Sequence, residues 1–226
     1  MNLLKEYIEE LVLLEKIRKR QNNDVRYRSS PSAFQRFSIN KFKEIYNNEG
    51  INIASNYADE TLTLFGHGSA RNVYLLNSKT VLKISRDNFT GPAQNETEVD
   101  IYTNKLTKSI VAKIYDFDDK NYEWLVSELV NPVHDTDEFK KLTGADFYTF
   151  EDIIEQPELY INTKFNFKIE KFTQKILDLM KNTDLLPGDL ISIEHWGKTS
   201  DQRVVLLDYG FTKKVMRDYY SADNSS

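Results

Sequence analysis

Between Thr61 and Ile84 one pattern occurs three times, and it limits the fold more than any other stretch. Thr61-Leu62-Thr63-Leu64-Phe65 alternates with a period of two, Gly66-His67-Gly68-Ser69-Ala70-Arg71 interrupts it, and Asn72-Val73-Tyr74-Leu75-Leu76 resumes it. After a turn at Asn77-Ser78-Lys79, Thr80-Val81-Leu82-Lys83-Ile84 reads as a third strand. Links this short make neighbouring strands antiparallel, because a parallel crossover needs a dozen or more residues. Gly91-Pro92-Ala93 then opens a helix that runs through Tyr102, with proline at a favourable starting position. Val111–Asp116 and Glu123–Val130 supply two further strands around a turn at Asp118-Asp119-Lys120-Asn121, and Asn131-Pro132 is expected to break the sheet. The pattern predicts five antiparallel strands with one helix inserted after the third.

The flanks are helical. Leu3, Leu4, Tyr7, Ile8, Leu11, Val12, Leu14 and Ile17 give residues 2–20 the spacing of an amphipathic helix, whose basic end suits the helix dipole. Residues 21–31 read as a polar linker and Ser32-Ala33-Phe34-Gln35 as a capping box. A second helix runs to about Asn48, buries Phe37, Phe42, Ile45 and Tyr46, and ends at Gly50. Beyond the strands, helices are expected from Asp135 to Leu142 before Gly144, from Phe150 to Glu155, and from Phe167 to Asn182. The last carries an apolar stripe of Ile169, Phe172, Ile176, Leu179 and Met180. The expected division is a helical extension (1–54), a sheet-rich lobe (55–130), a helical lobe (131–220) and a disordered polar tail (221–226).

Composition narrows the function classes. A net charge of −5 argues against a molecule that binds nucleic acid as a whole. With no cysteine, disulfides and thiolate zinc sites are excluded. Three scattered histidines do not suggest a histidine metal centre, no apolar run is long enough to span a membrane, and the N-terminus lacks the pattern of a signal peptide. An intracellular location is expected.

Four features carry chemistry. The Gly66–Arg71 loop can lay backbone N–H groups over phosphates, although a plain β-turn uses the same residues. Lys83 interrupts an apolar strand; it either lies on an exposed face or reaches into a pocket toward carboxylate and phosphate. Glu96 and Glu98 cannot share a helix face, so only one can turn toward Lys83, and Glu98 is preferred. Asp189, after Pro187-Gly188, and Asp208, after Arg203-Val204-Val205-Leu206-Leu207, which reads as a buried strand, each stand at the edge of an apolar segment. The chain between them folds back, so one could accept a proton and the other hold a metal. Taken singly, Asp189 also reads as a turn residue and Asp208 as a strand terminator.

In this order the pieces resemble the protein-kinase-like fold, near its divergent aminoglycoside phosphotransferase-type members, over about residues 60–215. The overall look, including Glu194-His195-Trp196-Gly197 ahead of Leu-Leu-Asp-Tyr-Gly, is similar to small kinase-like proteins of tailed bacteriophages. The resemblance implies an α+β bilobal fold with a five-stranded antiparallel N-lobe and a truncated helical C-lobe. It implies ATP and magnesium as ligands. Gly66, Gly68, Ser69 and Arg71 would cover the phosphates, Lys83 would pair with Glu98, and the backbone around Glu128–Val130 would receive adenine. Asp189 would be the catalytic-loop aspartate, and Asp208 a metal ligand helped by Glu194. The chain departs from the family pattern at Arg71, which replaces a loop glycine, at Pro187, which replaces histidine, and at Glu194, which replaces asparagine. Only about 16 residues follow Gly210, with no room for an activation segment. The implied function is an ATP-dependent phosphotransferase of unknown acceptor, with nucleotidyl transfer as a variant. The alternative is a pseudokinase serving as a phage structural or host-interaction module, with helix 2–20 docking a partner.

Overall fold

A computed structural model describes residues 37–161 and 169–220 as a mixed α+β protein. The expected helix at 2–20, the linker, the capping box at 32–35, the tail at 221–226 and the first residues of the 167–182 helix lie outside them. The chain divides into two compact units. The first contains the described residues up to Asn95 and Ile114–Leu129; the second contains Glu96–Lys113 and the described residues from Val130 onward.

The first unit is a five-stranded antiparallel sheet backed by two helices. Its strands are β1 (Thr63–His67), β2 (Arg71–Asn77), β3 (Thr80–Ser85), β4 (Ile114–Phe117) and β5 (Trp124–Glu128), in the order β1-β2-β3-β5-β4. Helix α1 (Ile39–Glu49) is capped by the Ser38 hydroxyl, which accepts from the Lys41 N–H. Gly50, at φ 86°, ends α1 and starts α2 (Ile51–Thr61). Phe42, Ala54, Ala58 and Leu62 pack against Tyr74, Leu82, Ile84, Trp124 and Val126, so the core lies on one face of the sheet. The boundary expected after residue 54 therefore falls inside α2, and these helices belong to the same unit as the strands. Polar contacts reinforce the packing: the Tyr46 hydroxyl lies 2.6 Å from Asp118 Oδ2 and 2.7 Å from Glu123 Oε2, both near the β4–β5 turn.

Helix α3 (Thr90–Thr103) follows β3. Its start is fixed by Asp87, whose carboxylate accepts from the N–H groups of Phe89 and Gly91. Gly91 allows a close approach, since a Cβ there would lie 2.7 Å from the Ala70 carbonyl oxygen and 2.9 Å from the Ser85 Cα.

In the second unit Asn131-Pro132 does not merely break the first sheet. It forms β6 of a second, three-stranded sheet with β7 (Trp196–Lys198) and β8 (Val204–Leu206), in the order β6-β7-β8. The lobe expected to be helical therefore carries its own sheet. Val111 pairs in parallel with Leu206, and only residues from Ile114 onward join β4, so the strand expected over 111–116 is split between two sheets. The helices are α4 (Thr136–Thr143), α5 (Phe147–Glu155), α6 (Pro157–Ile161), α7 (Lys171–Asn182), the single turn α8 (Pro187–Leu190) and α9 (Lys213–Val215). Asp135 caps α4 at its start and Gly144, at φ 80°, at its end. Phe139, Phe150 and Trp196 are buried together, with Phe172 packed against them.

Candidate functional site

In the first unit Gly66, Arg71 and Lys83 share the sheet face opposite the core. Leu82 and Ile84 point into that core, so Val81, Lys83 and Ser85 point to the other side. The strand register places Gly66, Val73, Lys83 and Leu125 in one cross-strand row, Gly66 opposite Val73, Val73 opposite Lys83, and Lys83 opposite Leu125. The glycine loop and the lysine thus share a face and a row. Lys83 is only 8% exposed, which removes the exposed-face reading for it.

Gly66 lies in β1 just after a bulge, and Gly68 closes the loop with a backbone bond from its N–H to the Arg71 carbonyl. Among the described glycines, positive φ occurs at Gly50 and Gly144. Ser69 is exposed at the loop tip. Arg71 is buried, and its Nη1 donates to Asn95 Oδ1 at 3.2 Å; Asn95 Nδ2 in turn donates to the Tyr122 carbonyl. At the end of β5 the Glu128 side chain takes the same face as Trp124 and Val126, and the Leu129 N–H donates to the Lys79 carbonyl. Of the two glutamates on α3, Glu98 is fully buried and Glu96 exposed, so the fold takes Glu98 inside.

In the second unit the carboxylates are brought to one end of the β7–β8 hairpin. Trp196 pairs with Leu206, and one step further the Leu207 N–H donates to the His195 carbonyl. Asp208 follows Leu207 directly, and Glu194 precedes His195 in a single turn of 3-10 helix. Asp189 lies in α8, and His195 Nδ1 is 2.9 Å from its backbone oxygen and 4.0 Å from its Oδ1. Glu194 Oε2 accepts from the Ser192 hydroxyl at 3.2 Å. Asp208 is partly exposed at the hairpin end, while Tyr209 is buried and its hydroxyl donates to the Ala112 carbonyl at 2.7 Å. Trp196 is buried in the aromatic core and its Nε1 donates to the Leu190 carbonyl at 2.9 Å. Val130 is buried and packs against β7 at Gly197.

Among the described residues, no group of three or more histidines and carboxylates is arranged to hold a metal ion by itself. Magnesium asks for less, since one or two carboxylates with substrate phosphates complete its shell, and Asp208 offers oxygen donors of the right hardness. Sequence reading counted His195 among three scattered histidines and missed its contact with Asp189. No helix among the described residues is long and apolar enough to cross a membrane. No known protein-family model and no curated protein matches this chain.

Proposed function

We propose that this chain is a kinase-like, bilobal nucleotide-binding protein and, in its active form, an ATP-dependent phosphotransferase. The observation that supports this best is the row shared by Gly66 and a buried Lys83 on the sheet face turned away from the core. A lysine in that position needs an anionic partner to offset lost hydration. A nucleotide phosphate beside a glycine loop would be one.

In this reading Lys83 holds the phosphates, backbone groups of the Gly66–Arg71 loop lie over them, and backbone groups around Glu128–Val130 receive the base. Asp208, with Glu194, would hold magnesium, which when bound neutralises charge on the phosphate oxygens. Asp189 orients an acceptor hydroxyl and takes its proton as the new P–O bond forms and the bond to the ADP leaving group breaks. A second reading keeps nucleotide binding and drops turnover, leaving a pseudokinase that serves as an interaction module. It is favoured by Arg71, whose guanidinium is tied to Asn95 inside the unit.

The test is thermal unfolding with ATP, with and without magnesium or manganese, for wild type, Lys83→Met and Asp208→Ala. Saturation at a hundred times Kd stabilises a folded protein by about 2.7 kcal/mol, a readily measured shift. The expected result is a metal-dependent shift in wild type that both variants lose. No shift with any nucleotide would sink the reading. A shift without ADP formation selects the pseudokinase form.

A further inference from the structure

We infer that His195 is a positioning residue for Asp189, and that it ties both carboxylate-bearing segments of the second unit to one point. The inference rests on the nucleotide reading for its kinetic consequence and on the structure alone for its geometry.

The turn α8 ends with backbone carbonyls that have no helical partner of their own. Two consecutive side chains supply donors to two consecutive carbonyls, His195 Nδ1 to Asp189 and Trp196 Nε1 to Leu190, each at 2.9 Å. A carbonyl oxygen can only accept, so His195 Nδ1 carries the proton and the ring's orientation is set. The same nitrogen lies 4.0 Å from Asp189 Oδ1, so the N–H side of the ring faces the carboxylate as well as the backbone. Both side chains are sheltered, His195 at 11% and Asp189 at 15% exposure.

The backbone of His195 does the second half of the task. Its carbonyl accepts from the N–H of Leu207, the residue before Asp208, at 2.8 Å. One residue thus grips the Asp189 turn through its ring and the Asp208 segment through its main chain. The pivot is firm because the next residue, Trp196, is packed among Phe139, Phe150 and Phe172. Losing the ring N–H loosens Asp189 without touching any group assigned to the nucleotide.

The experiment compares the full-length wild type with His195→Asn and His195→Leu. Asparagine keeps an N–H donor on the γ-carbon, where histidine carries Nδ1, and leucine removes it. In the kinetic arm, ATP hydrolysis with water as acceptor is followed in magnesium. Misplacement of a reacting group by about 1 Å can cost ~100-fold, so H195L is expected to lose about that much in kcat with KM for ATP little changed. H195N is expected to recover most of it. Equal loss in both variants, or a loss confined to KM, overturns the inference. In the second arm, NMR of the unliganded protein reads the His195 Nδ1–H proton and its coupling through the hydrogen bond to the Asp189 carbonyl carbon. The coupling is expected in wild type; a proton found on Nε2 alone overturns the inference. If wild type neither binds nor hydrolyses ATP, the proposed function fails, and the NMR arm decides the His195 contact by itself.

Discussion

The chain has two tryptophans, one in the core of each unit, and they are held differently. Trp124 lies between the sheet and α1, edge-on to Phe42 at 5.7 Å, with the Lys43 ammonium 5.2 Å from its ring centre. Its buried Nε1 has no hydrogen-bond partner among the described residues. Trp196 is ringed by three phenylalanines, and its Nε1 is bonded to the Leu190 carbonyl. The first ring serves packing and the contact with the Lys43 ammonium. The second also fixes the turn that carries Asp189, so the same residue type is filler in one unit and a support for candidate chemistry in the other.

Substitution of these rings is the strongest way to break the comparison. Truncating a buried tryptophan to alanine costs about 3–5 kcal/mol in either core. Phenylalanine separates the two, because it keeps the aromatic bulk and removes only the N–H. Trp196→Phe is expected to cost about 1 kcal/mol more than Trp124→Phe, the net worth of one hydrogen bond and the carbonyl it leaves unmet. Urea unfolding of each variant, followed by far-ultraviolet circular dichroism, measures this. Equal costs would show that the Leu190 bond adds nothing.

Two glycines give a smaller contrast. A Cβ at Gly91 would lie 2.5 Å from the Ser85 Cβ, which is fixed to the backbone and cannot rotate away, 2.7 Å from the Ala70 oxygen and 2.9 Å from the Ser85 Cα. A Cβ at Gly197 would first meet side-chain ends, the Leu207 Cδ2 at 2.5 Å and the Val130 Cγ2 at 2.7 Å, which can rotate away. Overpacking costs about 1–3 kcal/mol, so Gly91→Ala belongs near the top of that range and Gly197→Ala near the bottom. The difference in denaturant midpoint between the two variants checks it, and a costlier Gly197→Ala would reverse the ranking of how tightly the units are packed.

The smallest effects lie at the two ends of the pH scale. In the second unit the Lys198 ammonium and the His134 N–H hold the Glu138 carboxyl below its ordinary range. A depressed carboxyl stabilises the fold above its unfolded pKa, and that stability is lost as pH falls through the folded value. Glu138→Gln should therefore flatten the acid limb of stability below about pH 4.3, by no more than about 1 kcal/mol for so accessible a pair. In the first unit burial, with the neighbouring Asp59 carboxylate, pushes the Tyr74 hydroxyl up to about 12. That contribution is complete below the ordinary tyrosine value of about 10 and fades as pH rises toward the folded value, so Tyr74→Phe should flatten the alkaline limb. Melting temperature against pH for both variants reads the two limbs separately.

Legibility also divides between the units. The strands of the first unit alternate clearly and turn tightly, so β2, β3 and β5 lie close to where period and turn chemistry put them, whereas β1 starts at Thr63 rather than Thr61 and runs on through Gly66 and His67, which pair with Val73 and Asn72 instead of interrupting the strand. Lys83 was visible because a charge inside an apolar strand is a local anomaly. Helix α2 was missed because Ile51–Thr61 is rich in polar residues and has no side-chain cap. What commits it to helix is the close packing allowed by Ala54 and Ala58. In the second sheet β8 lies within the buried strand expected over 203–207, but its partners β6 and β7 were missed for a related reason: they have two and three residues, too few for a period to show.

The sequence by itself determined the local elements with enough repeats to declare a period, the helix ends marked by Asp135 and Gly144, and the residue types able to carry phosphate chemistry. Tertiary structure decided which of them face inward. Glu98 is buried and Glu96 is not; residues 111–116 divide between two sheets; and His195 reaches the Asp189 carbonyl across a gap in sequence that no periodicity spans. The physical reason is that a period is a property of neighbours along the chain. The partner of a backbone carbonyl, and the side of a helix left to water, are set by whichever segments pack against it.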